Sequence, residues 1–247
     1  MLKLKQAKVI SVSIFVLSSF LVPCIAEFSA SPAANREPVK ELAQKFQRRR
    51  PRGENIRRGG LCAVSPGTDG SQDQFVIWSD RPLFMWQMNP NQIAVQRLKL
   101  VQVNTEEILW DKSLPDAAQS VAYEGKPLQP GQVYSWELVF KRNNSDPILG
   151  AKDTLEYRFQ VMDANQRQRV TVELQTLGDR VKKTGASPET IAMEQAQYFE
   201  DQGLSSDALQ VLHSIKSPST ETKNQIRALV TSVCGDSNPV SKGVSLP

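Results

Sequence analysis

The alternation of apolar and polar side chains from Val133 to Phe140 constrains the fold of this chain more than any other feature. The apolar set consists of Tyr134, Trp136, Leu138 and Phe140. Ser135 and Glu137 stand between them, and a period of two is the pattern of a strand with one buried face. Pro130 and Gly131 supply a turn just before it. The pattern therefore predicts a half-buried β-strand.

Six further segments have the composition of short strands, and turn-like sequences separate them. The seven strands are predicted over Phe75–Trp78, Leu83–Gln87, Arg97–Val103, Glu107–Asp111, Ser120–Tyr123, Val133–Phe140 and Glu156–Val161. Strands of this length and spacing predict a sandwich of two sheets, similar to an immunoglobulin or fibronectin type III domain. Trp86 and Trp136 are expected to be core residues that face each other across the sheets.

After Asp163, a predicted N-cap, the apolar residues recur at helical spacing. Gly185 ends this first helix, and Ser187 with Pro188 begins a second, which Gly203 closes. The third and fourth helices are predicted over Ser206–Ile215 and Thr220–Val233.

The second and third helices carry the pattern of one tetratricopeptide-like hairpin, at Ala196, Phe199, Ala208 and Leu212. Because a solenoid needs at least three stacked repeats, we expect one hairpin to pack on the sandwich or on the flanking helices. A peptide-binding groove is the functional alternative. The predicted fold class is α+β, with an immunoglobulin/fibronectin-III-like β-sandwich over residues 61–163 followed by a C-terminal helical region over residues 164–235.

Residues 1–26 have the three parts of a secretory signal peptide. Three lysines precede a short apolar run, and Ala26 stands before the expected cleavage point. An uncleaved N-terminal anchor is the alternative, although the run is short for a membrane span. Pro23 stands where a lipoprotein signal ending at Cys24 needs a small residue, and we therefore reject that interpretation. The chain is expected to be exported across the cytoplasmic membrane.

Residues 27–60 are predicted to be a disordered linker rich in Arg, Pro and Gly, and residues 236–247 a disordered tail. Within the linker, the segment Pro38–Arg50 could form a transient helix with Val39, Leu42 and Phe46 on one face. Its basic residues include Arg48, Arg49, Arg50 and Arg52. These arginines either make weak contact with an anionic surface, such as lipid headgroups or envelope polymer, or belong to a solvated spacer.

The net charge of +4 does not describe the predicted domains. Residues 1–60 carry twelve basic and four acidic side chains, whereas residues 61–247 carry eighteen basic and twenty-two acidic ones. A nucleic-acid-binding domain needs a basic face of its own. Because the predicted domains are mildly acidic, we expect no nucleic-acid partner.

Cleavage after residue 26 would leave two cysteines, Cys62 and Cys234. In the oxidising environment that an exported chain meets, they are a candidate disulfide between the two ends of the folded region. Two buried free thiols are the alternative, because the sequence does not show that the side chains meet.

The sequence contains no recognisable catalytic, metal-binding or cofactor-binding motif. His213 is the only histidine, and we interpret it as a partly exposed residue of a helix rather than a catalytic base. Neither a phosphate-binding glycine loop nor a dinucleotide fingerprint occurs, so no cofactor is expected. Acids such as Glu106, Glu107, Asp111, Asp116 and Glu124 lie at predicted turns and strand ends. We interpret them as solvated groups rather than a glycosidase pair.

Two motifs resemble a cyanobacterial family of secreted proteins, the domain of unknown function 928. One is the strand Arg81-Pro82-Leu83-Phe84-Met85-Trp86, and the other is the Leu-x-Pro-Gly-x-x-Tyr-x-Trp pattern that ends at Trp136. The resemblance covers residues 59–233 and includes an Arg/Gly-rich lead-in that ends at Cys62. It implies an exported protein without an assigned activity. The family's cysteine after the second motif is missing here, where residues 141–144 stand instead.

These features lead us to expect a non-enzymatic, exported module that binds another protein or polymer of the cell envelope. The alternative is an exported carbohydrate-binding protein in which an exposed Trp78 or Trp110 stacks on a sugar ring.

Overall fold

The computed structural model describes residues 61–67, 75–89, 91–142 and 153–234. Its strands are β1 (Leu61–Ser65), β2 (Val76–Ile77), β3 (Leu83–Met88), β4 (Ile93–Gln102), β5 (Glu107–Ser113), β6 (Ser120–Ala122), β7 (Val133–Arg142) and β8 (Asp153–Val161). Its helices are α1 (Ala164–Lys183), α2 (Pro188–Asp201), α3 (Ser205–His213) and α4 (Thr220–Cys234). The predicted signal peptide, the linker with its arginines and the tail lie outside the described residues.

The strands form two sheets. One has three strands in the order β1-β3-β6, and the other has five in the order β2-β8-β7-β4-β5. Neighbouring strands are antiparallel except for β2, which runs parallel to β8. The prediction of an α+β protein with a β-sandwich is therefore confirmed.

Three of the differences from the predicted strands, at β1, β2 and β4, have a structural reason. No strand was predicted at β1, because its residues pack on both faces and show no alternation. β2 was predicted over Phe75–Trp78 but contains only Val76–Ile77, because the backbone N–H of Trp78 bonds to Asp207 instead of a strand. β4 begins at Ile93 rather than Arg97, since an irregularity between Val95 and Arg97 interrupts the alternation.

Aromatic side chains fill the space between the sheets, which we call the sandwich core. Trp86 on β3 is 1% exposed and Trp136 on β7 is 0% exposed, so the prediction that both are core residues is confirmed. The indole Nε1 of Trp136 donates a hydrogen bond to the carbonyl oxygen of Pro66 at 3.0 Å. Across the sheets, the ring of Phe84 lies 5.2 Å from that of Trp136.

The three-stranded sheet is covered on both faces. On β3, Phe84, Trp86 and Met88 belong to the sandwich core, whereas Leu83 and Met85 point the other way into a second cluster. This second cluster, the helical core, contains residues of α1, α2, α3 and α4. The domain therefore has three layers: the five-stranded sheet, the three-stranded sheet and the helices.

Helices α1 and α2 begin, and α2 ends, at the capping residues that were predicted from the sequence. Asp163 accepts hydrogen bonds from the backbone N–H groups of Asn165 and Gln166, each at 3.0 Å. Ser187 accepts one from Thr190, and Gly203 adopts φ +77°. These predicted caps are confirmed, and they satisfy groups that a helix end leaves without intrahelical partners. None of the four described helices has the length and apolar character of a membrane span.

A disulfide bond joins Cys62 on β1 to Cys234 at the end of α4. Both residues are buried in the helical core, and they are 172 positions apart in sequence. The bond ties the first described strand to the last described helix.

Candidate functional site

A groove with an open volume of about 520 Å³ runs between α1 and the hairpin of α2 and α3. Its apolar lining consists of Trp78, Leu174, Gly178, Ile191, Phe199 and Val211. Its polar lining consists of Thr171, Gln175, Asp179, Lys182 and Gln195. An apolar depression with a polar rim is the usual form of a site that binds an apolar group of a ligand.

The floor of the groove continues the helical core. Leu174 and Phe199 are buried members of that core, and Trp78 and Val211 are partly buried against it. At Gly178 of α1, a Cβ would lie 3.9 Å from the Nε2 atom of Gln195 on α2, an ordinary van der Waals distance, so the two helices face each other here with room for a methyl group. The floor is therefore supported by packed side chains.

Asp207, in the first turn of α3, connects the groove to the sandwich. Its carboxylate accepts hydrogen bonds from the backbone N–H groups of Trp78 at 2.9 Å and Ser79 at 2.8 Å. Burial raises the pKa of Asp207 to about 6, and those two hydrogen bonds and the charge of Arg167 oppose the rise. This buried acid thus fixes the backbone of a groove residue to the helical layer.

Gln210, one turn later on α3, holds the next residues of the same loop. Its Oε1 atom accepts a hydrogen bond from the backbone N–H of Leu83 at 3.0 Å. Its Nε2 atom donates to the hydroxyl of Ser79 and to the carbonyl oxygen of Arg81, each at 3.1 Å. The segment from Ser79 to Leu83, which includes the start of the motif Arg81–Trp86, therefore contacts the helical layer directly.

Arg167 on α1 completes the junction. Its Nε atom donates to the carbonyl oxygen of Trp78 at 3.0 Å, and its Nη2 atom lies 2.8 Å from a carboxylate oxygen of Asp80. The guanidinium carbon lies 5.7 Å from the centroid of a Trp78 ring, within the range of a cation–π contact. The indole Nε1 of Trp78 in turn donates to the carbonyl oxygen of Arg167 at 3.3 Å.

The two tryptophans proposed to stack on sugar, Trp78 and Trp110, are both partly buried. Trp110 packs against the sandwich core, with its ring 6.2 Å from Phe84 and 5.4 Å from Tyr123. Trp78 packs on Phe199 with ring centroids 5.5 Å apart, and it still lines the groove. The sequence did not show these contacts because the partners come from other elements.

A second depression, of about 320 Å³, lies on the outer face of the five-stranded sheet. It is lined by Gln96, Arg97, Lys99, Ser113, Glu137, Val139 and Thr154. Arg97 forms an ion pair with Asp111 at 3.3 Å, and both side chains are substantially exposed. No aromatic ring is among these lining residues, so stacking on a sugar ring has no support at this depression.

Within the described ranges, no group of three or more His, Cys, Asp or Glu side chains could hold a metal ion. His213, at the end of α3, is partly buried as predicted. Burial lowers the pKa of its imidazole below the ordinary value of 6.5, which favours the neutral form.

The comparison with family models places the sandwich among known folds. Residues 64–148 match the model described as the Rha78A-like, N-terminal immunoglobulin domain. The sandwich is immunoglobulin-like. The match covers about a third of the chain, from within β1 to a point beyond β7, and leaves out β8 and all four helices. No curated protein matches the chain.

Sequence reasoning missed the residues that build the junction. Asp207 stands in the first turn of a helix, where an exposed acid is common. Gln210 lies on the same helix, and nothing near it in sequence distinguishes it from a solvent-exposed polar residue. The buried character of Asp207 depends on a loop 128 residues earlier in the chain.

Proposed function

We propose that the protein is an exported, non-enzymatic binding module whose groove takes an apolar segment of another envelope protein. The observation that carries this proposal is the groove itself, an open apolar depression between α1 and α2. A depression with an apolar floor and a few polar groups at its rim is the usual form of a binding site. The resemblance to the domain of unknown function 928, where no activity is assigned, is consistent with a binding role.

A polypeptide is the occupant that the lining favours. Leu174, Phe199 and Val211 offer aliphatic and aromatic contacts, whereas Gln175 and Gln195 offer amide groups at the rim. Side chains of a peptide would contact the former, and its polar groups would bond to the latter. We interpret α2 and α3 as one tetratricopeptide-like hairpin that supplies one wall of the groove.

Two features support export. The first 26 residues have the pattern of a signal peptide. The disulfide between Cys62 and Cys234 belongs to a class of bond that persists in oxidising compartments.

Site-specific photocrosslinking in the native envelope tests the proposal. A benzoylphenylalanine replaces Gln175 at the groove, and in a control protein it replaces Gln96 at the outer sheet face. We expect a protein adduct from position 175, mapped by mass spectrometry to one apolar segment, and none from position 96.

A pair of substitutions at Gly178 shows whether such an adduct depends on the groove. Gly178→Leu fills the groove, whereas Gly178→Ala adds one methyl group in ordinary contact with Gln195. The adduct should be lost with leucine and kept with alanine, while both proteins unfold cooperatively in urea. Equal adducts in both variants, or retention on envelope polysaccharide alone, would overturn the proposal.

A further inference from the structure

We propose that the partner segment in the groove is extended rather than helical, and that the side chains of Gln175 and Gln195 bind its backbone while one of its aliphatic side chains enters the apolar end. This inference rests on the proposed function of the groove. Three observations carry it: the hydrogen-bonding groups of the two glutamines, their spacing along the groove, and the order in which apolar and charged residues line it.

The two glutamines lie on opposite walls of the groove, Gln175 on α1 and Gln195 on α2. Within the part of the chain that the structure describes, neither side-chain amide bonds to another residue. A carboxamide offers an acceptor oxygen and an NH2 donor, which are the counterparts of the N–H and C=O groups of a peptide backbone. Each glutamine can therefore bind one peptide unit of a ligand.

The spacing of the two carboxamides suits an extended chain. A Cβ at Gly178 would lie 3.9 Å from the Nε2 atom of Gln195, so Gln195 is level with Gly178. Gln175 precedes Gly178 by three positions, which the helical rise converts to about 4.5 Å. An extended chain rises about 3.3 Å per residue, and its backbone N–H and C=O groups point to both edges. Neighbouring residues of such a chain can therefore bond to the two walls, and the flexible glutamine side chains cover the small difference in spacing.

A helical ligand would leave both carboxamides without a partner. The backbone N–H and C=O groups inside a helix bond to each other, four residues apart. Such a helix would cover Gln175 and Gln195 and remove water from them, yet it would offer no backbone group in exchange. Because a polar group that loses water without gaining a partner costs free energy, the lining favours an extended segment.

The two ends of the groove differ in chemistry. Leu174 and Phe199 line one end, where the ring of Trp78 lies 5.5 Å from that of Phe199. Asp179 and Lys182 lie together at the other end, and their opposite charges give that end no net preference for an anion or a cation. From Leu174 to Lys182 the helical rise gives about 12 Å. An extended segment of about four residues spans this distance.

The apolar end favours an aliphatic side chain over an aromatic ring. Phe199 packs on the ring of Trp78, and the guanidinium carbon of Arg167 lies 5.7 Å from the same ring system. The ring of Phe199 also packs on Tyr198, with centroids 5.9 Å apart. Because these rings are already engaged with their neighbours, little ring surface is left for stacking, whereas Val211 adds an aliphatic contact. We therefore expect a side chain of about the size of leucine.

A phage library of random linear heptapeptides, selected on the full-length protein purified from exporting cells, tests the inference. Peptides that Gly178→Leu also retains are discarded, because leucine fills the groove in that variant. The remaining peptides should share one aliphatic residue and should lack apolar residues at helical spacing. If no peptide specific for the open groove remains, the inference is wrong.

Substitutions of the glutamines measure their contribution to the binding of the strongest peptide, synthesised with a fluorescent label and followed by anisotropy. Gln175→Met and Gln195→Met keep an unbranched side chain of similar length but remove the carboxamide. Each should weaken binding at least about fivefold, through the loss of its hydrogen bonds to the peptide. Gln197→Met is the matched control, since Gln197 lies on the same helix as Gln195 but outside the groove lining. It should bind the peptide as the wild type does.

Methylation of the peptide backbone distinguishes direct contact from an indirect effect on structure. Replacing the N–H that bonds to Gln195 with N–CH3 should weaken binding to the wild type. It should weaken binding to Gln195→Met much less, because that hydrogen bond is already absent there. A lactam-bridged helical form of the peptide should bind at least about tenfold more weakly than the linear form. The inference is wrong if the helical form binds equally well, or if methylation and Gln195→Met act additively at every backbone position.

Crosslinking from position 175 separates this inference from the proposed function. If position 175 reaches a partner protein but the selected peptides bind independently of both glutamines, only the extended backbone contact is wrong. If there is neither a protein adduct nor a groove-specific peptide, the proposed function is wrong as well.

Discussion

The carboxylate of Asp207 accepts a hydrogen bond from the backbone N–H of Trp78 at 2.9 Å, although the two residues are 129 positions apart. This contact fixes the position of a groove residue by means of a buried charge from another layer. Because Trp78 lines the groove and Asp207 belongs to the helical layer, the same hydrogen bond supports both the groove and the junction between the sandwich and the helices. Changes at Asp207 are therefore expected to affect stability and groove shape together.

Removing the carboxylate should destabilise the protein. In Asp207→Ala, the backbone N–H groups of Trp78 and Ser79 lose their acceptor inside the protein, and we expect a loss of about 3 kcal/mol in the free energy of unfolding. Urea unfolding at neutral pH measures it. Asp116→Ala, at an exposed position, should change stability by no more than about 0.5 kcal/mol. Similar losses in both variants would contradict the assigned role.

The same residue should give the stability an unusual dependence on pH. Burial raises the pKa of Asp207 from 3.8 to about 6, so the folded chain binds this proton more tightly than the unfolded chain. The additional stability that protonation of Asp207 provides is therefore complete below about pH 4 and is lost as the pH rises through about 6.

Comparison of wild type with Asp207→Asn across this range isolates the effect. The stability of the wild type relative to the variant should fall by about 3 kcal/mol between pH 4 and pH 7, because two pKa units correspond to about that energy. Urea midpoints at several pH values measure the difference. Parallel curves for the two proteins would show that the carboxyl titrates alike in the folded and unfolded chains.

The disulfide should contribute strongly to stability, because it closes a long loop. Replacing both Cys62 and Cys234 with alanine is expected to lower the free energy of unfolding by about 4 kcal/mol. Urea unfolding with and without a reductant measures the effect. Reductant should bring the wild type to the level of the variant and leave the variant unchanged. A reductant-insensitive wild type would refute this prediction.

Two glycines near the end of α1 should respond to alanine in opposite directions. Gly178 lies within the helix, so Gly178→Ala should stabilise the protein by about 1 kcal/mol. Gly185 adopts φ +74° with open space around it, so Gly185→Ala should destabilise the protein by about 1 kcal/mol through backbone strain alone. Thermal unfolding compares them. The same sign for both would be incompatible with these backbone conformations.

Sequence reasoning succeeded where the signal is local. The caps at Asp163, Ser187 and Gly203 depend on a few neighbouring residues, and the alternation around Trp136 needs only its own strand. Features of this kind can be predicted from the spacing and type of neighbouring residues alone. Trp86 was placed in the core for the same reason.

The groove and the junction could not be derived in this way. Trp78 looked available to a ligand because nothing near it in sequence shows that Phe199 and Arg167 pack on its ring. The burial of Asp207 could not be predicted, because its partners lie in a loop far away in sequence. Tertiary contacts of this kind determine which residues are buried. The period of apolar residues along a strand or a helix, 2 or 3.6 residues, does not reveal such contacts.

The two-sided packing of the three-stranded sheet also bears on how the chain is made. Cys62 and Val64 on β1 need the helical core to cover them, yet Cys234 is synthesised 172 residues later. The apolar side chains of β1 on this face therefore lack the cover of the last helix until that helix has been synthesised. Truncation before α4 should leave a chain that aggregates rather than a free-standing immunoglobulin domain.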